Sequence, residues 1–149
     1  MGRRTGIFGH VAAVAAAVVM VAASGGAMAD VLAEREAGFK QNLKNMKAMA
    51  ASLKAGEVKA MQGPAEEIAA YAAKIPDLFP AGSGEGDTEA LPTIWQDWDD
   101  FVAKAKANGD AAMALAKVAA GGDAAEAGAA LKALGGTCGA CHDKFRKEQ

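Results

Sequence analysis

From residue 30 onward, apolar residues recur every three or four positions in four stretches, separated by Gly, Pro and short polar clusters. That spacing marks one face of a helix, and no stretch shows the strict alternation of a half-buried strand. Ala, Leu, Lys and Glu dominate and β-branched residues are few, which favours helix further. The first helix is predicted from about Val31 to Lys54, with Asp30 as N-cap and Gly56 beyond its end. The second begins near Pro64, a residue suited to a first turn, and stops before Pro76 or Pro80. Residues 81–87, Ala-Gly-Ser-Gly-Glu-Gly-Asp, read as a loop. The third runs from about Asp97 to Ala120, with Asn108-Gly109 as a weak point in its middle. The fourth opens at Asp123, with Glu126 as capping-box partner, and continues towards the C-terminus. Four helices with mostly short connections predict an all-α fold, an antiparallel up-down four-helix bundle.

Two stripes on these helices carry more than packing. On the fourth, Ala127, Leu131, Leu134, Cys138, Cys141 and Phe145 follow at spacings of four, three, four, three and four, the seam of a bundle-facing helix. Both thiols therefore point inward, one turn apart, with His142 at the edge of the same face. Upstream, Gly135-Gly136 reads either as room for a flat ring to approach the backbone or as a plain helix break. On the first helix the stripe is Leu32, Arg35, Phe39, Leu43, Met46, Ala50 and Leu53, apolar except for Arg35. A guanidinium there must either reach solvent along its apolar stem or meet an anion. Met49 falls off this stripe, while Met61 and Met113 read as core filler.

The residues ahead of Asp30 have a different character. Arg3 and Arg4 form a short positive region, Val11–Ala23 is an unbroken apolar run of thirteen residues, and Ala27-Met28-Ala29 is a small-x-small cleavage site. A spanning helix needs about 20 apolar residues, so the run fits a secretory signal better than an uncleaved anchor. Residues 1–29 are thus read as a cleaved signal peptide and 30–149 as one exported domain, periplasmic and without stable membrane insertion. The whole chain has 16 Lys and Arg against 18 Asp and Glu, a net charge of −2, and losing Arg3 and Arg4 takes it to −4. That mild acidity, with sparse Trp and Arg, argues against a nucleic-acid surface.

The candidate chemistry sits in one window, Cys138-Gly139-Ala140-Cys141-His142. Both cysteines of the chain are here, together with the single histidine that remains after signal cleavage. Cys-x-x-Cys-His is the attachment sequence of a c-type haem: both thiols add to the porphyrin vinyl groups and the adjacent imidazole becomes an axial iron ligand. Three alternatives fit less well. A thioredoxin-like redox pair needs a strand-to-helix setting. Structural zinc needs a fourth ligand. A disulfide across three residues of a helix is geometrically poor. One covalent haem c per chain, through Cys138 and Cys141 with His142 on the iron, is the expectation. No nucleophile constellation or second histidine suggests an enzyme, and Glu66-Glu67 and Asp97/Asp99/Asp100 read as solvated carboxylates at helix N-termini.

With these residues in view, the chain resembles the cytochrome c prime family, four-helix c-type cytochromes with the haem motif near the C-terminus. The resemblance rests on Cys-Gly-Ala-Cys-His-Asp-Lys-Phe-Arg at 138–146, on Arg-x-x-x-Phe at 35–39 and on Pro92-Thr93-Ile94-Trp95, and it covers essentially all of 30–149. It implies that Arg35 contacts a haem propionate, that Phe39 sits over the distal face of the iron, and that Arg146 tunes electrostatics beside the proximal histidine. Phe145 stands where many relatives carry Tyr. Members of the prime type keep a five-coordinate, high-spin iron, whereas low-spin relatives place Met at the position of Phe39. The resemblance therefore implies nitric oxide or carbon monoxide binding, electron transfer with redox partner proteins, or both. The alternative is a low-spin Met/His-ligated carrier serving electron transfer alone. Relatives often form homodimers through their first two helices, and Tyr71 with Ala69, Ala72 and Ala73 is the candidate surface here.

Overall fold

A computed structural model describes residues 22–148, with side chains from residue 29. The Arg3-Arg4 pair and nearly all of the Val11–Ala23 run lie outside the described residues. The elements are α1 (Ala22–Ala55), α2 (Gln62–Ala72), the single turn α3 (Thr93–Gln96), α4 (Trp98–Gly121) and α5 (Ala124–Phe145), and 3-10 turns flank α2 at Val58–Met61 and Pro76–Leu78. Among the described residues there is no strand, only an isolated antiparallel bridge between Ala90 and Arg146. The four long helices form the expected bundle, each packed on its neighbours in chain order, with α1 closing the ring against α5.

Most boundaries follow local chemistry. Asp123 accepts a hydrogen bond from the Glu126 backbone N–H at 2.8 Å, and α5 begins at the next residue. Gly122, at φ 83°, ends α4 in the left-handed conformation and returns its N–H to Val118 and Ala119 carbonyls. Asp97 precedes α4 but makes no side-chain cap, because its carboxylate is bound instead by Lys144 of α5. Two expectations fail. Helix α1 runs through the expected cleavage site without interruption, so Asp30 lies inside it rather than capping it. With chain present upstream, an alanine-rich segment extends an already nucleated helix at little cost. Nor does Asn108-Gly109 weaken α4. A Cβ at Gly109 would lie 3.4 Å from Ala72 Cβ, so this glycine is a point of close approach between α4 and α2.

Helix α1 buries a different seam from the one its apolar residues suggest. Arg35, Asn45 and Met49 are buried, whereas Leu43 is 55% exposed and Ala50 is exposed. Met49, expected off the stripe, is fully buried, and Met113, expected in the core, is 52% exposed. The seam that faces the bundle is Leu32, Arg35, Phe39, Asn42, Met46, Met49 and Leu53, a strict seven-residue repeat. Its register against α5 is explicit. Phe39 faces His142, Met46 meets the open side of Gly135, and Leu53 meets that of Gly128. Each step of seven forward on α1 is matched by seven backward on α5. Helix α5 also continues unbroken through Gly135-Gly136, which excludes the helix-break reading of that pair.

The interior has two parts of different composition. Around Met49, Met61, Ile68, Leu115 and Leu134 it is an aliphatic, alanine-rich core, with Ala65, Ala112, Ala116, Ala119 and Ala127 letting the helices close up. The other part, built around Ile75, Leu78, Phe79, Ile94, Phe101 and Phe145, collects the aromatic residues, with Phe39, Tyr71, Trp95 and Cys141 against it. Both cysteines belong to this aromatic end or to its boundary with the aliphatic core.

Candidate functional site

Cys138, Cys141 and His142 occupy the last two turns of α5, all half-buried, and both thiols are free. Cys141 packs against the aromatic core, and Cys138 faces α4. There the buried Asn108 amide donates to Thr137 Oγ1 at 2.9 Å and to Cys138 Sγ at 3.5 Å, while Thr137 donates to the Leu134 carbonyl at 2.7 Å. Burial pushes the Cys141 thiol up to about 11 and raises that of Cys138, against which Asn108 and Thr137 act by hydrogen bonding. His142 is held below its ordinary value, first by burial and then by the positive charge of Arg146. The imidazole is therefore neutral at physiological pH, the form with a nitrogen lone pair to give to a metal.

Opposite His142 stands Phe39 of α1, with ring centroids 6.3 Å apart and planes at 73°. Tyr71 of α2 packs edge-to-face with Phe39, at 5.3 Å and 83°. The Tyr71 hydroxyl donates to the Arg35 carbonyl at 3.1 Å, and burial pushes this phenol up to about 12. Tyr71 and Ala72 are thus largely spent on the interior rather than offered as an outer face.

The two arginines lie to either side. Arg146 follows the last residue of α5, donates its N–H to the His142 carbonyl at 3.0 Å and pairs with Glu89 at 3.7 Å. Arg35 is 5% exposed, and its guanidinium is bound by the loop after α2: Nε donates to the Leu78 carbonyl, Nη1 to the Ser83 carbonyl at 2.9 Å and Nη2 to Ser83 Oγ. Its Cζ lies 3.8 Å from the centroid of the Phe79 ring. Three of its five N–H donors are therefore committed to the chain itself.

Of the residues singled out in the sequence, Cys138, Cys141 and His142 share the last turns of α5, Phe39 faces His142, Arg146 adjoins the same imidazole, and Arg35 is directed into the 78–83 loop. Sequence reasoning missed Asn108, Thr137, Ser83 and the support that Tyr71 gives Phe39. Asn108 could have been found, because it interrupts the buried α4 series Phe101, Ala105, Ala112, Leu115 just as Arg35 interrupts that of α1. Ser83 could not, since a serine in a glycine-rich loop carries no sign of its burial. The donor set itself fits a haem c: two unpaired thiols one turn apart on a helix, a neutral imidazole beside the second, and a hydrocarbon ring facing that imidazole. Among the described residues no group of three His, Cys, Asp or Glu side chains is arranged to hold a bare metal ion.

Comparison with known proteins agrees. The family described as Cytochrome C′ matches residues 30–146. The cytochrome c′ of Rhodopseudomonas palustris is 39% identical over 148 residues, covering 94% of this chain and 97% of its own. Among solved structures, cytochrome c prime from Shewanella frigidimarina superposes with a TM-score of 0.74 at 36% identity, over 81% of this chain and 97% of its own. A nitric oxide complex of a mutant of cytochrome c prime from Alcaligenes xylosoxidans gives 0.73 at 26% identity, over 82% and 97%. With family profile, relatives and fold in agreement, the chain belongs to the cytochrome c′ family, a family of c-type haem proteins.

Proposed function

We propose that residues 30–149, exported and freed of the leader, form a periplasmic protein with one haem c joined through Cys138 and Cys141, His142 on the iron, and a vacant but crowded sixth position facing Phe39. Its function on this reading is to bind nitric oxide or carbon monoxide and to exchange electrons with redox partner proteins. The observation that carries the reading is the Phe39 ring, which opposes His142 at 6.3 Å and has no donor atom to offer a metal. A bound haem supplies a redox-active iron with two axial positions.

The chain's own residues do the rest. The two thiols would hold the cofactor to α5, and the neutral His142 would give its nitrogen lone pair to the iron. Phe39 crowds the other side and gives no hydrogen bond, so dioxygen would go unstabilised there, while nitric oxide and carbon monoxide need no such bond. Arg146 keeps a positive charge beside the imidazole. Arg35 retains two N–H groups beyond those given to the loop, enough to serve one haem propionate. The nitric oxide complex of the Alcaligenes relative supports the ligand class. Nothing in this assignment calls for substrate turnover, and binding and electron exchange suffice.

Register weighs against the Met-ligated alternative. Met46 meets Gly135, two helical turns from His142, roughly 10 Å along the axis. As for self-association, a homodimer through α1 and α2 would use what the interior leaves over there, Leu43 above all. Among the described residues no helix is long and apolar enough to cross a membrane.

The deciding experiment is the visible spectrum of the dithionite-reduced protein, made in a host competent for haem attachment. Broad high-spin bands that shift with carbon monoxide are expected. Sharp low-spin bands indifferent to carbon monoxide would overturn the vacant site and leave electron transfer as the function.

A further inference from the structure

We propose that Tyr71 is a positioning residue for Phe39: seated in a notch that Gly38 leaves on α1, its ring packs against Phe39 and limits how far that ring can move to admit a diatomic ligand. The inference rests on the reading of Phe39 as the residue over the sixth position. It adds a second-helix residue as the element that sets access.

The geometry is specific. A Cβ on residue 38 would lie 2.0, 2.2 and 2.7 Å from Cε2, Cζ and Cδ2 of Tyr71, so the phenol ring occupies space that any other residue at 38 would claim. Its hydroxyl reaches the Arg35 carbonyl at 3.1 Å, one turn before Phe39 on the same helix. The two rings meet edge-to-face at 5.3 Å and 83°, and Phe39 also faces His142 at 6.3 Å. Phe39 is thus in contact with Tyr71 and with the imidazole together. A ligand entering the crowded side must displace Phe39, and a Phe39 ring that moves must do so against the Tyr71 ring already in contact with it. The hydroxyl anchors the Tyr71 ring to α1 itself, so seat, anchor and Phe39 belong to one stretch of helix. Burial of the phenol, which pushes it up to about 12, agrees with a ring held out of water.

The test is the rate of carbon monoxide association with the reduced, haem-loaded protein. Phe39→Ala is the control: it should raise the rate, and if it does not, Phe39 is not over the sixth position and this inference falls with that reading. Given that rise, Tyr71→Ala should raise the rate about 2- to 12-fold, the factor that corresponds to losing one edge-to-face aromatic contact. Tyr71→Phe, which keeps the ring, should stay within about twofold of wild type, while Gly38→Ala, which evicts the ring, should behave like Tyr71→Ala. In a Phe39→Ala background Tyr71→Ala should add nothing. An unchanged rate in Tyr71→Ala, or an equal effect with and without Phe39, would overturn the proposal. If Tyr71→Ala does not fold, Tyr71→Leu keeps most of the volume, and a rate raised about twofold or more is expected. A readout that needs no ligand comes from Tyr71 being the sole tyrosine. Its phenol titration, followed in the ultraviolet, should fall from about 12 towards the ordinary value of about 10 in Gly38→Ala. A titration left in place would show that the notch does not seat the ring.

Discussion

Replacing Arg35 by alanine tests how the loop after α2 is held. The guanidinium makes three hydrogen bonds to Leu78 and Ser83 and lies 3.8 Å over Phe79, at 5% exposure. Truncation leaves the Leu78 and Ser83 carbonyls without that donor, at about 1–3 kcal/mol each when buried, and loses a cation–π contact of about 0.5–2 kcal/mol. Against this, folding no longer has to desolvate a cation, and Ser83 Oγ keeps its 2.7 Å bond to the Pro80 carbonyl. The net expectation is about 2–4 kcal/mol of lost stability. For a domain of this size the unfolding entropy turns each kcal/mol into about 4 °C, so the melting temperature should fall by about 8–16 °C. Circular dichroism measures the melt, and a glutamate-specific protease reads the loop directly through Glu85 and Glu89. Arg35→Lys keeps the charge but not the planar fork, and should recover less than half of the loss. An Arg35→Ala protein that melts within a degree or two of wild type, with the loop as protease-resistant as before, would refute the reasoning.

Two other substitutions probe the interior. Met46→Ala should leave the band pattern of the reduced haem unchanged while lowering the melting temperature, because the thioether fills space against Gly135; a switch from low-spin to high-spin bands would identify Met46 as an iron ligand instead. Asn108→Ala removes a bridge between α4 and α5 and should cost about 1–2 kcal/mol, or about 4–8 °C by thermal melt; a melt unchanged from wild type would mean that the amide contributes nothing net.

The bundle was legible in the sequence because its signals are local and strong. Capping at Asp123, the left-handed Gly122 and the glycine-rich loop each act within a turn of where they are written. The seam of α1 was misread at Leu43 and Ala50 for a physical reason. Following apolar residues alone steps around Asn42 and Asn45, yet Asn45 is buried because it donates to Glu67 at 2.9 Å and accepts from Gln41 at 3.0 Å. Unlike Asn108, which interrupts an otherwise apolar buried series, Asn45 lies beside the apolar stripe of its helix, so a pattern read along one chain gives no sign of its burial. The cysteine–histidine window was explicit, since its chemistry is contiguous. The surroundings of Phe39 were not, because they depend on which residue of α2 comes to rest on Gly38, a fact of packing rather than of spacing.

The segregation of aromatic residues to one end has a practical consequence for anyone who unfolds this protein. Trp95 packs against the aromatic core, and Trp98 stacks at 5.5 Å on Phe101 of that core. Tryptophan fluorescence therefore watches only that half of the bundle, whereas far-ultraviolet ellipticity counts every turn of helix, including the alanine-rich half that holds no tryptophan. Coincidence of the two curves would establish cooperative unfolding across the junction. Separation would mean that the aliphatic half stands or melts by itself, and that a fluorescence midpoint describes the aromatic end of the molecule rather than the protein.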